Sequence, residues 1–181
     1  MNKLESISIG WDGPYTLEEI GLQEDSLKYS LKKDTQLNNE AKDYGVYQIY
    51  GHHPIYGANV LLYIGKAQDQ TFAKRISQEG WEYNEDAYNI RIYIGRIYNN
   101  TKTNRTEIWD TYIDSAERML IYAHEPARNS SNILNITKNE DKLKELENVR
   151  IFNYGNYRSL MPEVSGEMWI KSSDDVDFFH A

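Results

Sequence analysis

The sequence contains no cysteine, which excludes disulfides, thiolate zinc sites and a cysteine nucleophile together. Long apolar runs are also missing: no stretch approaches the roughly 18 consecutive apolar residues of a membrane-spanning helix. The first residues, Met1-Asn2-Lys3-Leu4-Glu5-Ser6, lack the apolar core of a secretion signal, so a cytoplasmic location is expected. The tripeptides Asn99-Asn100-Thr101 and Asn135-Ile136-Thr137 match a glycosylation acceptor and, with no such signal before them, are read as chance.

Positive charge is in deficit. The 20 Lys and Arg stand against 28 Asp and Glu, a net charge of −8, which weighs against a nucleic-acid partner because phosphate neutralisation supplies most of that affinity. The deficit is uneven. Residues 1–43 carry 5 basic and 9 acidic groups and residues 133–181 carry 6 and 9, whereas residues 44–132 carry 9 and 10. Acid therefore collects on the flanks, and the middle segment holds Lys66, Lys74, Arg75, Arg91, Arg96, Lys102, Arg105, Arg118 and Arg128. A chain of 181 residues accommodates one well-packed domain with decoration rather than two.

Two short runs rich in β-branched and aromatic residues dominate the middle segment, Tyr44-Gly45-Val46-Tyr47-Gln48-Ile49-Tyr50 and Leu61-Leu62-Tyr63-Ile64-Gly65-Lys66-Ala67. They are separated by the loop Gly51 to Asn59 and read as an antiparallel hairpin. Gln70 to Gln78 reads as a helix ended by Gly80-Trp81. Ile90, Ile92, Ile94 and Ile97, interleaved with Arg91, Tyr93 and Arg96, give a third strand with one basic and aromatic face. Asn99 to Asn104 is a polar turn. From Thr106 the period becomes helical, through Ile108, Tyr112, Ile113, Ala116, Leu120, Ile121 and Ala123, until Pro126 stops it. Glu117 lies beside this apolar stripe, where an unpaired carboxylate is costly. It needs a cationic partner or a metal.

The flanks carry weaker signals. Ser6-Ile7-Ser8-Ile9 alternates like a short strand ending in turn chemistry at Trp11-Asp12-Gly13-Pro14, and Thr16-Leu17-Glu18-Glu19 is a capping box that predicts a short helix. Residues 22–43 read as a loop or weak strand. Asp141 to Asn148 reads as a charged helix, Val149 to Tyr154 as an edge strand, Met168-Trp169-Ile170 as a docked segment and residues 172–177 as a solvated acidic tail.

The ordered set Gly45-Val46-Tyr47, Tyr63-Ile64-Gly65-Lys66, Arg75 on a helix, and Glu117 followed by Leu120-Ile121, Pro126 and Asn129 resembles the GIY-YIG nuclease superfamily. The resemblance covers residues 44–132. It implies an α/β (α+β) domain with a small central antiparallel three-stranded sheet flanked by helices. Residues 1–43 then form an N-terminal extension packed on the core, and residues 133–181 a C-terminal extension with an acidic tail. The implied activity is Mg²⁺- or Mn²⁺-dependent endonucleolytic hydrolysis of DNA to a 5′-phosphate and a 3′-hydroxyl. The alternative is a catalytically silent module of the same fold that binds nucleic acid or protein.

The resemblance also assigns roles. Glu117 holds the single metal, which suits Mg²⁺ because that ion keeps several waters and takes one or two carboxylates. Arg75 contacts the phosphate, where a planar fork matches two oxygens. Tyr47 or Tyr63 is the general base; Tyr47 is preferred, with Tyr63 orienting water. A free phenol titrates near pH 10, so phenolate at pH 7 needs about three units, about 4 kcal/mol, of favourable interaction. Lys66 and Arg75 are placed to give that sign of shift. Asn129 bonds either backbone or metal-bound water. These groups must converge on one hollow. Of the four histidines, His52 and His53 are adjacent in a loop and diverge too much for zinc, His124 falls on the Glu117 side of its helix, and His180 is in the tail. With so modest a positive charge, DNA is expected to be bound weakly, by shape or with a protein partner that positions it.

Overall fold

The computed structural model describes residues 5–25, 28–31, 35–79, 89–98, 107–129 and 144–167. Its strands are β1 (Glu5–Tyr15), β2 (Leu22–Asp25), β3 (Lys28–Leu31), β4 (Gly45–His53), β5 (Gly57–Ala67), β6 (Arg91–Tyr98), β7 (Val149–Gly155) and β8 (Glu163–Ser165); its helices are α1 (Phe72–Ile76) and α2 (Glu107–His124). Six strands form one sheet in the order β5-β4-β6-β1-β7-β8. Every pairing is antiparallel except that of β1 with β7, which is parallel and sets Glu5 opposite Val149.

This corrects the expected fold class. The antiparallel trio β5-β4-β6 is present, but it is half of a six-stranded mixed sheet rather than a small sheet of three flanked by helices. Residues assigned to the two extensions supply β1, β7 and β8, and β1 lies inside the sheet. The cause is visible in the side chains. Ile7, Ile9 and Trp11 alternate inward along β1, and Val149 and Ile151 do so along β7. Such strands bury their apolar face only by joining a sheet.

Other local expectations change with it. The stretch from Trp11 to Pro14 is not a terminating turn; β1 continues to Tyr15 with a register shift between Asp12 and Tyr15. The Thr16 capping box does form, with Thr16 N donating to Glu19 Oε2 at 2.8 Å and Glu19 N to Thr16 Oγ1 at 3.2 Å. It closes one turn instead of opening a helix, because the chain enters β2 at Leu22. Residues 22–31 contain a two-stranded hairpin, β2-β3. Arg91, Tyr93 and Arg96 do not make an open face on β6, since Tyr93 is core and Arg96 pairs with buried Asp43 at 2.6 Å. Residues 144–146 form a helical turn. The Gly80-Trp81 stop, the 99–104 turn, the Met168–Ile170 segment and the acidic tail lie outside the described residues. No helix among the described residues is long and apolar enough to cross a membrane.

Two apolar clusters lie on opposite faces of the sheet. On one, Ile113, Ala116, Met119, Leu120 and Ile121 of α2 pack with Ile9, Val46, Tyr50 and Ile64. On the other, Phe72, Ala73 and Ile76 of α1 pack with Tyr47, Ile49, Leu62, Ile92 and Ile94. α1 is held by the segment that leads into β4: Phe72 N donates to Asp43 O at 2.9 Å, Ala73 N to Leu37 O at 3.1 Å, and Thr71 Oγ1 to Asn38 Oδ1 at 2.6 Å.

His124 ends α2 and ties the β7–β8 connection to it. Met161 N donates to Nε2 at 2.8 Å, so Nδ1 carries the proton and donates to Leu120 O, also at 2.8 Å. A second proton would break the Met161 bond, and burial holds the imidazole below its ordinary value of 6.5. Because the unfolded chain takes up that proton first, stability is expected to fall as pH drops below about 6.5. Chemical denaturation between pH 7 and 5 should give a flatter pH dependence for His124→Gln than for the wild type; equal slopes would remove His124 as the cause.

Candidate active site

Tyr47 and Tyr63 are brought to one face by strand pairing. β4 and β5 set Tyr47 opposite Gly65 and Ile49 opposite Tyr63, and cross-strand partners share a face. The register shifts between Ile49 and Tyr50, where Leu62 is the extra residue. The two phenol rings lie 6.2 Å apart, tilted by 40°. Arg75 approaches on the same side, from α1.

Lys66 and Glu117 come from the other side of the sheet, where α2 packs. Lys66 Nζ bonds Asp114 and lies 3.4 Å from Glu117 Oε2. The two sets meet around β5 because that strand is the sheet edge. Arg75, Lys66 and Glu117 together line one cleft of about 210 Å³, with Gln68, Asp69, Gln70 and Gln78. Neither motif tyrosine is in its wall, so the expected convergence of all four groups on one hollow is corrected to Arg75, Lys66 and Glu117 alone. Tyr47 has no accessible surface, and its hydroxyl donates to Glu79 Oε1 at 2.5 Å. Glu79 also pairs with Arg75 Nη2 at 2.8 Å.

The free edge of β5 is covered just before the cleft. Ala127 N donates to Leu61 O and Arg128 N to Leu62 O, at 3.2 and 2.8 Å. Asn129 then accepts from Ile64 N and donates to Ile64 O, both at 2.9 Å. Of the alternatives open for Asn129, the structure places it on backbone; it is 1% exposed, and both polar ends of its amide are occupied.

The electrostatics run against a phenolate. Burial, then the Glu79 carboxylate, pushes Tyr47 well above its ordinary value, and Arg75 offsets only part. Burial, then Glu79 and Glu117, pushes Tyr63 up to about 12. The expectation that Lys66 and Arg75 lower a phenol is therefore corrected: Arg75 acts in that direction on both rings but is outweighed, and Lys66 is committed to carboxylates. Burial works against charge on Lys66, yet the Asp114 hydrogen bond and the Glu117 charge hold the ammonium above its ordinary value. Burial raises Glu117, with Lys66 offsetting part of the effect.

A hydrated divalent cation suits this donor set. Glu117 presents a hard carboxylate to the cleft, and its direct ion-pair partner among the described residues, Lys66, stands off at 3.4 Å. Asp114 has both oxygens engaged, by Lys66 and by Arg118 Nη2 at 2.6 Å. The described residues hold no cluster of three or more metal-ligating side chains. One carboxylate with several retained waters is coordination that Mg²⁺ accepts.

Two residues of the site escaped the sequence reading. Glu79 is four residues beyond Arg75, and Asp114 three before Glu117, both helical spacings that place side chains together. Of the histidines, His53 is used within its own turn, accepting from Ile55 N at 3.2 Å and stacking on Tyr56 at 4.6 Å. His180 lies outside the described residues. No protein-family model matches the chain, and comparison with curated proteins and with solved structures found no match.

Proposed function

We propose that the chain is a divalent-metal-dependent endonuclease that hydrolyses DNA phosphodiester bonds in the cytoplasm, with a site of the GIY-YIG kind. The observation that supports it is the shared cleft: a guanidinium, an ammonium and a half-buried carboxylate drawn from α1, β5 and α2 face one polar space of about 210 Å³. Phosphoryl hydrolysis asks for this combination, because negative charge grows on the phosphate oxygens and on the leaving oxygen.

Arg75 takes two phosphate oxygens through its fork. Glu117 holds Mg²⁺ or Mn²⁺, which when bound neutralises charge at the scissile phosphate and leaving oxygen. Lys66 stays beside Glu117 and limits the carboxylate charge that an incoming phosphate meets. Of the motif tyrosines, Tyr63 is assigned the base, because it keeps accessible surface beside the cleft residues of β5 and Tyr47 is sealed off. Asn129 keeps the end of β5 in place.

The reading is tested by incubating supercoiled plasmid with the purified chain, with Mg²⁺ or EDTA, alongside Arg75→Ala. Metal-dependent nicking that falls at least about a hundredfold in the variant is expected. With Tyr63 as base, the rate should climb about tenfold per pH unit from pH 6 to 8. A second reading, the silent binding module, is favoured by one observation: both cations of the cleft are paired with carboxylates, Arg75 with Glu79 and Lys66 with Asp114 and Glu117. Plasmid retained but never nicked would select it. Neither nicking nor retention would end the nuclease reading and the nucleic-acid form of the module.

A further inference from the structure

Tyr47 sits too deep to touch substrate, yet its hydroxyl is not idle. It donates to Glu79 Oε1 at 2.5 Å, and the same oxygen pairs with Arg75 Nη2 at 2.8 Å. The three side chains form a line from the core to the cleft: Tyr47 fully buried, Glu79 11% exposed, Arg75 34% exposed.

Each link has a structural reason. α1 ends at Ile76, but Gln78 N still donates to Arg75 O and Glu79 N to Ile76 O, so the chain keeps turning and returns Glu79 to the side of Arg75. Gln78 Nε2 donates to Gln70 Oε1 at 2.8 Å, which pins this turn to the residues before the helix. An ion pair between helix neighbours is by itself weak and mobile. A carboxylate that also takes a short hydroxyl bond from a buried phenol is better held. Glu79 takes one terminal nitrogen of the guanidinium, and Arg75 itself lines the cleft. A guanidinium held at one terminal nitrogen has further N–H donors to offer a phosphate.

We propose that Glu79 is a positioning residue: it carries the orientation of buried Tyr47 to Arg75, and Tyr47 serves the site by aiming that guanidinium rather than by taking a proton. This rests on the phosphodiester reading for its purpose, though not for its geometry. The motif tyrosine of β4 then acts at one remove, through a carboxylate.

The test joins two readouts. Guanidinium ¹⁵N–¹H spectra of Arg75 should show hindered rotation in the wild type and averaging in Glu79→Ala and Tyr47→Phe, whether or not DNA is cut. Arg75 signals unchanged in both variants would overturn the proposal. Where the wild type nicks plasmid, Glu79→Ala and Tyr47→Phe should each lower kcat on the order of a hundredfold, with KM changed much less. Their double variant should lose no more than either alone, and Glu79→Gln, which can still accept both bonds, should recover most of the rate. Losses that multiply in the double variant would also overturn it. A wild type that cuts no DNA would sink the nuclease reading alone, with the spectra still deciding the role of Glu79.

Discussion

Glu117→Gln is expected to lower metal-dependent DNA cleavage about a thousandfold while leaving thermal stability unchanged or higher. The activity loss comes from removing the proposed metal ligand. Charge stabilisation of that kind supplies several kcal/mol, and about 4 kcal/mol corresponds to a factor of a thousand. The stability half comes from burial. Glu117 is pushed above its ordinary value of 4.5 chiefly by desolvation, and Lys66 at 3.4 Å offsets only part of that. A carboxyl whose folded value exceeds its unfolded value stabilises the fold below about pH 4.5. That contribution is lost as pH rises through the folded value. Burial therefore works against the charged form in the fold, and a neutral amide of nearly the same shape removes that opposition. Lys66 keeps its bond to Asp114 in the variant. Plasmid nicking and thermal melting, run on one preparation at pH 7, check both halves. Full cleavage by Glu117→Gln would sink the assignment of Glu117, and a melting temperature lowered by many degrees would show that the carboxylate is structural.

The hairpin and the groups around its edge were legible because their signals are local. β-branched and aromatic runs mark β4 and β5, and helical spacing places Glu117 on α2 beside its apolar stripe. The full sheet was not, because its decisive contact pairs β1 with β7 across most of the chain. Ile7 and Ile9 look alike whether they start an appended strand or fill the middle of a sheet. The Thr16 capping box shows the same limit from the other side: its two bonds form, but the pairing of β2 with β3 keeps a helix from growing out of them. Within the site, the residue types could be read but not their environment. Whether a phenol is raised or lowered depends on burial and on Glu79, a residue whose spacing from Arg75 is shared by countless surface pairs. That environment tells against Tyr47, the preferred general base, because it is sealed from solvent.

Gly45 and Gly65, the two glycines of the resemblance, are expected to fail in different ways. Gly45 has φ +144°, and a Cβ there would lie 2.1 Å from Gly95 O, a backbone atom of the neighbouring strand β6. That oxygen cannot move without parting β4 from β6, which pair beside it at Val46 and Gly95. Gly45→Ala combines backbone strain with this clash, and about 4 kcal/mol is expected. In a chain of this size that lowers the melting temperature by about 8–16 °C, a large share of a domain's whole stability. At Gly65 the obstacles are side-chain ends, Tyr47 Oη at 2.5 Å and Tyr63 Cε1 at 2.7 Å. They can swing aside, so Gly65→Ala should cost less than half as much in melting temperature. What swings aside is the pair of phenols, and with Tyr47 the anchor of Glu79 and Arg75. Cleavage should then be lost in a protein that remains folded. Equal melting losses at the two positions would mean that the hairpin yields as one body, and the separation drawn between its fold and its site would not hold.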